Sequence, residues 1–511
     1  MMKLTRRDLL KSAALLPFLT GDWRSLAAPP PLQAAAAPNV LIVLFDSFSA
    51  CHASLYGYPR QTTPHLARFA ERATVYHAHY AAGNFTNPGT ASLLTGTYPW
   101  THRSLQLFSP MLKAVAPHNL FAAFAEKSYH RLTYTHNLVA LALLYQCIED
   151  VDTFKKIRDL CLLDAQWADK LFFNDYDLAI WRERLFRGGE GLSTLPTSLF
   201  YFFANHAGWE RKKARLNHIY REQFPRDLPR HHDQIFRLEE AVDWLTASLP
   251  DFPQPYLGYF HFSPPHDPYN TRREFVGMFD AGWTPAPKPP HFFTLGHSEE
   301  SLQQLRREYD EYLAYVDAEF GRLYEFMAQA GLLDNTYLVL TSDHGEMFER
   351  GIWMHLTQTL YEPVVRIPLL IAKPGQRIRE DVRTPTSAVD VMPSLLHATG
   401  QTIPTWCEGR LLPTFGDEPV DPDRSIFVVE AKANAKSAAL TQATFAMVKG
   451  AYKLVHYRGY PGYENEFELY DVQQDPEELE NLYTTQKDVA ADLRHELVSK
   501  VDEVNRPYVR G

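Results

Sequence analysis

The sequence predicts an α/β protein in which helices sandwich a mostly parallel sheet, with a helical insertion and a smaller C-terminal α+β subdomain. Continuous apolar runs at 39–45 and 336–341 are typical of strands that are buried on both faces. Helical patterns at 65–72 and 302–323 lie between such runs, as they do in α/β proteins. From about residue 416 the pattern changes to short strands and a final helix, which indicates an α+β unit.

The length and these changes of pattern predict three parts in the chain. A chain of 511 residues is too long for one small core. We expect an export signal at 1–37, a large domain at 38–415 and the C-terminal subdomain at 416–511. The stretch from about 138 to 238 is helical, aromatic and irregular in pattern, and we interpret it as the insertion.

The composition excludes several classes of protein. A hydrophobic content of 45% with 13% aromatic residues excludes a disordered or fibrous chain. The formal charge is -10 and no long run of Lys and Arg occurs, so nucleic-acid binding is not indicated. The four cysteines have no paired spacing, so they form neither a zinc ribbon nor a disulfide framework.

The N-terminus has the order of segments found in secretion signals. Arg6 and Arg7 precede a short apolar run at 12–19, and small residues follow at 34–37. This order indicates export, and the adjacent arginines indicate the twin-arginine machinery as a partner. We expect a mature chain that begins near Pro38 and works in the periplasm or at the cell exterior. The apolar run is too short to span a bilayer, and we expect no transmembrane helix in the mature chain.

Residues 85–96 contain the first candidate for a functional group. The small residues and the Leu pair at 91–96 predict the first turns of a helix. Pro88 and Gly89 predict a turn that places Thr86 just before the helix N-terminus. Unpaired N–H groups and a partial positive charge make such a terminus suitable for an anion. The Thr86 hydroxyl could therefore attack an anionic ester, and an ordinary helix cap is the alternative.

Two aspartates follow the apolar runs. Asp46 comes directly after the first run, and Asp343 and His344 come just after the second. Because the ends of parallel strands lie at one edge of a sheet, we expect these groups to meet there with Thr86. Two carboxylates, an imidazole and a hydroxyl suit a divalent cation, which lowers the pKa of a hydroxyl and offsets charge on a phosphoryl or sulfuryl group. Each acid alone could instead be a helix cap or a salt-bridge partner.

Short motifs in a fixed order resemble the sulfatase family within the alkaline phosphatase superfamily. The resemblance implies the alkaline-phosphatase/sulfatase-like fold, with a sulfatase-like catalytic domain at 38–415. It extends into the C-terminal subdomain. The motifs are Phe45-Asp46, Thr63-Pro64-His65-Leu66, Ser92-Leu93-Leu94-Thr95-Gly96-Thr97-Tyr98-Pro99, Pro265-His266-Asp267-Pro268-Tyr269, Thr341-Ser342-Asp343-His344-Gly345, Leu360-Tyr361-Glu362, Asp390-Val391-Met392-Pro393-Ser394-Leu395-Leu396 and Glu468-Leu469-Tyr470-Asp471.

The chain departs from the family pattern at the positions that carry the chemistry. The family nucleophile is a Cys that is converted to formylglycine and is followed four positions later by Arg; these positions are Thr86 and Thr90 here. Threonine cannot become formylglycine, so none is expected. Ser47 stands where the family has a second acid, Thr357 where it has a Lys, and His136 in place of another Lys.

The remaining set resembles the threonine-nucleophile members of the superfamily, such as phosphoethanolamine and phosphoglycerol transferases. Those proteins combine an acid, a Thr, an Asp and a His around one metal, which corresponds to Asp46, Thr86, Asp343 and His344 here. We expect one divalent ion. An imidazole ligand favours Zn²⁺ or Mn²⁺, with Ca²⁺ or Mg²⁺ as alternatives.

Three histidines and one asparagine complete the predicted site. His266 stands in a proline-bound loop after a predicted strand, in a context that matches a substrate-binding position of the family. We assign it a catalytic role, in which it steadies a non-bridging oxygen or protonates the leaving oxygen when Thr86 attacks. We assign substrate binding to Asn87, His136 and His355, and His355 could also be a weak extra ligand.

These residues predict an exported, metal-dependent hydrolase of sulfate or phosphate esters that works through a Thr nucleophile. The substrate would be a small-molecule, glycan or lipid ester. One alternative is a phosphoryl-group transferase that delivers to an alcohol on a glycan or lipid. Another is a binding protein that keeps the fold without turnover.

Overall fold

The computed structural model describes residues 37–163, 199–232, 234–417 and 421–509. The predicted export signal, except for its last residue, lies outside the described residues, as does the part of the predicted insertion at 164–198. Among the helices that are described, none combines the length and the apolar character needed to cross a bilayer.

The described strands belong to one large sheet, one four-stranded sheet and three two-stranded sheets. In chain order they are β1 (Asn39–Phe45), β2 (Thr74–Tyr76), β3 (His79–Tyr80), β4 (His130–Thr135), β5 (Thr153–Phe154), β6 (Arg230–His231), β7 (Gln234–Ile235), β8 (Tyr256–Phe262), β9 (Thr336–Thr341), β10 (Phe348–Glu349), β11 (Ile352–Trp353), β12 (Leu369–Ala372), β13 (Glu380–Val382), β14 (Thr386–Ser387), β15 (Ser425–Glu430), β16 (Ala443–Lys449), β17 (Tyr452–Arg458) and β18 (Glu466–Asp471).

The described α-helices range from single turns to a helix of 31 residues. In chain order they are α1 (Pro64–Ala70), α2 (Thr86–Thr95), α3 (Pro99–His102), α4 (Leu120–Phe124), α5 (Leu138–Gln146), α6 (Leu199–Tyr220), α7 (Leu238–Ser248), α8 (Glu299–Gln329), α9 (Glu362–Val365), α10 (Val391–Ala398) and α11 (Lys487–Val509).

The large sheet is mostly parallel, as predicted. Its strand order is β13-β2-β12-β9-β1-β8-β4-β5. Strand β12 is antiparallel to both of its neighbours, and the other pairs are parallel. Alternate residues of β1 face opposite sides: Leu41 and Val43 pack with residues of α1, α7 and α8, whereas Val40 and Ile42 pack with residues of α2, α5 and α10. Helices therefore cover both faces, which confirms the predicted fold class.

The predicted helical insertion is not wholly helical. Strand β5 pairs with β4 at the edge of the large sheet, and β6 and β7 form a short hairpin. Each of these strands has two residues, which is too short to show a period of two in the sequence. The described part of the stretch contains the α-helices α5 and α6 and two 3₁₀ helices, Ile148–Asp150 and Ile157–Asp159.

The C-terminal subdomain is an antiparallel sheet, in the order β15-β16-β17-β18, with α11 packed against it. Lys453 of β17 is fully buried and connects this sheet to the large domain. Its Nζ lies 3.0 Å from Glu362 Oε1 in α9 and 2.7 Å from Glu478 Oε1. Two buried carboxylates are therefore neutralised in part by one ammonium group.

Replacement of Lys453 should destabilise the protein far more than replacement of an exposed lysine in the same sheet. We expect Lys453→Met to lower the free energy of unfolding by about 3–5 kcal/mol, because it leaves buried carboxylates without their partner. Lys449 is a matched control, since its pair with Glu496 is about one-third exposed on both sides. Thermal unfolding of both variants measures the difference. Equal melting temperatures would contradict the structural role of Lys453.

Candidate active site

The ends of three neighbouring parallel strands meet at one edge of the large sheet. Strand β1 lies between β8 and β9, and its register places Leu44 opposite both His261 and Thr341. Asp46 follows the end of β1, and Asp343 follows the end of β9. The structure thus brings the two predicted aspartates together, and it adds His261, the penultimate residue of β8.

Two imidazoles contact the two oxygens of the Asp46 carboxylate. Asp46 Oδ1 lies 3.3 Å from His344 Nε2, and Asp46 Oδ2 lies 3.1 Å from His261 Nε2. Asp343 Oδ2 lies 3.7 Å from both of these nitrogens. The side chains of all four residues are fully buried. Together the four side chains form one buried cluster of two carboxylates and two imidazoles.

The charged groups of this set shift one another's pKa values. Burial alone would raise the pKa of Asp46, but the hydrogen bonds from His261 and His344 outweigh it and hold that pKa well below its usual range. Burial and the charge of Asp46 raise the pKa of Asp343. Burial would lower the pKa of His344, but Asp343 and Asp46 raise it to about 9. A proton on His344 thus offsets the aspartates, and binding of a cation there would release it, because a ligating imidazole is neutral.

The donor set fits a divalent cation. Ligand atoms of Asp46, His261 and Asp343 all lie within 4.8 Å of one another. His344 Nε2 and the Thr86 hydroxyl stand beside this group, 3.4 Å apart. Two carboxylates and two imidazoles are ligands that Zn²⁺ and Mn²⁺ accept. The residues that could hold the ion are therefore the four predicted ones together with His261.

Thr86 lies at the start of a helix, but not as the sequence predicts. Helix α2 begins at Thr86 itself, with Phe85 as the N-cap, so Pro88 and Gly89 lie inside the first turn and not in a turn before the helix. The N–H at position 88 would have no partner within the helix, so Pro is tolerated there. Thr86 Oγ1 faces His344 at the positive end of the helix dipole.

Close packing of α2 on the strand-end turn requires Gly89. A Cβ atom at Gly89 would lie 2.2 Å from the backbone oxygen of Asp343, which is closer than real Cβ atoms approach. Thr90 Oγ1 donates a hydrogen bond of 3.3 Å to Asp343 Oδ2. Helix α2 therefore fixes Asp343 while it presents Thr86.

The side chain of Asn87 holds a neighbouring loop. Its amide nitrogen donates to Ser104 Oγ at 3.2 Å and to the Ser109 carbonyl at 3.0 Å, and its oxygen accepts from the Phe108 N–H at 2.9 Å. The nitrogen and the oxygen of the Asn87 amide are thus both hydrogen-bonded to other residues of the protein. These bonds assign Asn87 a structural role at the site, and its predicted contact with substrate stays a prediction.

His266 lies beside the carboxylate cluster with its side chain 16% exposed. Its Nδ1 is 2.9 Å from the Asp267 carbonyl oxygen, and its ring centre is 5.0 Å from that of His355. Burial would lower the pKa of His266, but the charges of Asp267 and Asp46 raise it. The raised pKa favours the protonated form of His266, and its side chain is partly exposed to solvent.

The two other predicted histidines have different surroundings. The ring centre of His355 is 4.3 Å from that of His344, and its Nδ1 lies 3.2 Å from Glu346 Oε1. His136 is fully buried and stacks on Phe236 with ring centres 4.1 Å apart. Burial lowers the pKa of His136 to about 3, so it is neutral and does not supply the charge of the Lys that it replaces.

Three residues of the site were not predicted from the sequence. His261 is a histidine in an otherwise apolar strand, one position before its end, and this was the available signal. Asn137 donates a hydrogen bond to Asp46 Oδ2 and caps α5 through its side-chain oxygen. Glu346 is buried beside His355, and burial raises the pKa of its carboxyl to about 8.

Comparison with known families agrees with this arrangement. The family model described as Sulfatase matches residues 38–401, which is most of the chain. A second model, described as N-sulphoglucosamine sulphohydrolase, C-terminal, matches residues 352–506.

Individual relatives are distant but extend over most of the chain. The choline-sulfatase of Rhizobium meliloti is 25% identical over 87% of this chain and 82% of its own. The multifunctional alkaline phosphatase superfamily protein PehA of Trinickia caryophylli is 23% identical over 87% of this chain and 91% of its own. The solved structure of the phosphonate monoester hydrolase of Agrobacterium radiobacter has a TM-score of 0.66 at 18% identity, and covers 91% of this chain and 96% of that one. The chain belongs to the sulfatase family of the alkaline phosphatase superfamily, which places it among the hydrolases of sulfuric and phosphoric esters.

Proposed function

We propose that the protein is an exported, metal-dependent hydrolase of sulfate, phosphate or phosphonate esters in which Thr86 is the nucleophile. The observation that carries the proposal is the position of Thr86 Oγ1, 3.4 Å from His344 Nε2. The same nitrogen lies 3.3 Å from Asp46 Oδ1 and 3.7 Å from Asp343 Oδ2. A hydroxyl at a helix N-terminus beside two carboxylates and two imidazoles is arranged to attack an anionic ester.

The substrate class follows from the family and from the charge of the site. Choline-sulfatase and phosphonate monoester hydrolase are named for esters at tetrahedral sulfur and phosphorus. Both kinds of ester carry negative oxygens that a cation and a helix N-terminus can bind. The N-terminal pattern around Arg6 and Arg7 supports export, so the substrates would be esters present in the periplasm or outside the cell.

Asp46, Asp343, His344 and His261, with Thr86, would hold the divalent ion. When bound, the ion would lower the pKa of the Thr86 hydroxyl and offset charge on the group being transferred. Among divalent ions, Zn²⁺ and Mn²⁺ suit a site with two imidazole ligands best.

The reaction has two displacements. Thr86 Oγ releases its proton to solvent water and attacks sulfur or phosphorus, and the bond to the alcohol oxygen breaks as the Thr86 ester forms. His266 donates its proton to the leaving alcohol oxygen. Water then attacks the Thr86 ester, and its protons restore the Thr86 hydroxyl and His266. If an alcohol replaces water in the second step, the same residues perform group transfer.

Removal of His261 should weaken metal binding. We expect His261→Ala to lower the affinity for Zn²⁺ or Mn²⁺ by about 10- to 100-fold or more, because even residues that only support a ligand have effects of that size. His456→Ala is the control, since His456 is also a buried histidine but lies in β17 of the C-terminal sheet. Chelator competition with metal analysis gives the affinities. Equal affinities in the two variants would remove His261 from the ligand set.

Thr86 should be required for turnover, whereas the other four ligands should keep the metal bound when Thr86 is replaced. We expect Thr86→Ala to lower kcat by at least about 10³-fold, as loss of a covalent nucleophile does. Thr86→Ser keeps a hydroxyl and should retain measurable turnover. The assay uses aryl sulfate, phosphate monoester, phosphodiester and phosphonate substrates, with metal content measured in each variant. Turnover by a metal-loaded Thr86→Ala variant close to that of the wild type would refute the mechanism.

The effect of His266 should depend on the leaving group. A poor leaving group needs a proton more than a good one, so His266→Gln should reduce kcat/KM for alkyl esters far more than for nitrophenyl esters. The plot of log kcat/KM against leaving-group pKa should become steeper in the variant. Parallel plots for wild type and variant would show that His266 does not protonate the leaving oxygen.

A further inference from the structure

One wall of the site is the segment that contains His355, and its backbone is held from two sides. Asn84 donates from its side chain to the carbonyl oxygens of His355, at 3.0 Å, and Thr357, at 2.8 Å. Lys432 Nζ donates to the carbonyl oxygens of Leu356, at 3.3 Å, and Thr357, at 3.1 Å. One carbonyl group thus separates Lys432 from Asn84, which stands two residues before Thr86.

The family lysine that precedes the Leu-Tyr-Glu motif is absent at Thr357. The Thr357 side chain is buried, and its hydroxyl is bonded to Thr359 Oγ1 at 3.0 Å. Thr357 therefore offers no charge to a ligand, and its hydroxyl oxygen also accepts from the Thr359 N–H. His136, which replaces another family lysine, is neutral as well. Neither position supplies the positive charge that a lysine would offer to an anionic substrate.

Lys432 reaches this place from the C-terminal subdomain. It lies between β15 and β16, and its side chain is 28% exposed. Two of its three contacts are long for N–H···O bonds, at 3.3 Å to the Leu356 carbonyl and 3.5 Å to Glu430 Oε1, and the third, to the Thr357 carbonyl, is 3.1 Å. Glu430 Oε1 also accepts from the backbone N–H of Lys432. The ammonium is therefore held loosely and can exchange one carbonyl for a stronger, charged acceptor.

Lys432 lies next to the residues of the site. Its Nζ bonds the carbonyl oxygens of Leu356 and Thr357, the two residues that follow His355. The His355 ring packs between those of His344 and His266, at 4.3 and 5.0 Å. Lys432 thus stands within electrostatic reach of the place where the ester would bind.

We propose that Lys432, supplied by the C-terminal subdomain, binds an anionic oxygen of the sulfuryl or phosphoryl group in the role that Thr357 does not fill. The inference rests on the proposed function, and it identifies the Lys432 ammonium as a group that recognises the anionic substrate. It also makes the C-terminal sheet a part of the substrate site, since β15 and the following residues carry this lysine.

The test is direct binding of the product anions, which needs no turnover. Calorimetric titration of the metal-loaded protein with inorganic phosphate and with sulfate compares wild type, Lys432→Met, Lys432→Arg and Lys449→Met. Loss of a charge-assisted contact should weaken anion binding by about 10- to 100-fold in Lys432→Met. Lys432→Arg should recover part of the loss. Lys449→Met should bind as the wild type does, because Lys449 is as exposed as Lys432 but lies at the other end of the same sheet.

Each outcome decides the inference. Equal anion affinity in wild type and Lys432→Met, or no anion binding by the wild type, would overturn it. A lysine that only holds the carbonyls of Leu356 and Thr357 would lower kcat and the melting temperature and leave anion affinity unchanged, which also overturns it. If anion binding depends on Lys432 but the wild type hydrolyses no ester, the inference stands and the proposed function fails.

Discussion

The carboxylate of Asp46 joins four separate parts of the chain. Its Oδ1 lies beside His344 and accepts a hydrogen bond from Ser47, and its Oδ2 lies beside His261 and accepts one from Asn137. A buried carboxylate is costly unless such bonds surround it. The sheet must therefore be assembled before Asp46 is stabilised, and the same assembly completes the site.

Uncharged residues occupy the positions where the family pattern has two lysines, an arginine and the cysteine that becomes formylglycine; they are His136, Thr357, Thr90 and Thr86. Thr90 and Thr357 are neutral and bonded within the protein, and Gly89 lets α2 pack against Asp343. The frame is thus that of a sulfatase, whereas position 86 carries an ordinary hydroxyl. Such a hydroxyl depends on its surroundings for activation, which the two aspartates and their cation would provide.

The sequence predicts best those features that follow from long apolar strands. The runs that became β1 and β9 gave Asp46 and Asp343, because parallel strands end at a common edge. His261 was missed because a single histidine does not change the apolar pattern that predicts the strand. The start of α2 was misplaced because Pro88 is as acceptable inside a first turn as before it.

Contacts between distant segments could not be predicted in this way. Lys432 reaches the carbonyl of Thr357 across 75 positions of sequence, and no local pattern records that approach. The two-residue strands β5, β6 and β7 are likewise defined by their partners and not by their own residues. Their positions depend on packing, which a single sequence does not display.

The stereochemical course of the reaction tests the covalent role of Thr86 most directly. A phosphonate monoester that is made chiral at phosphorus by two oxygen isotopes is hydrolysed in water that carries the third, and the configuration of the released phosphonate is determined. Attack by Thr86 and then by water gives two inversions, so we predict net retention. Net inversion would mean that water attacks the ester directly, and it would contradict a Thr86 ester intermediate.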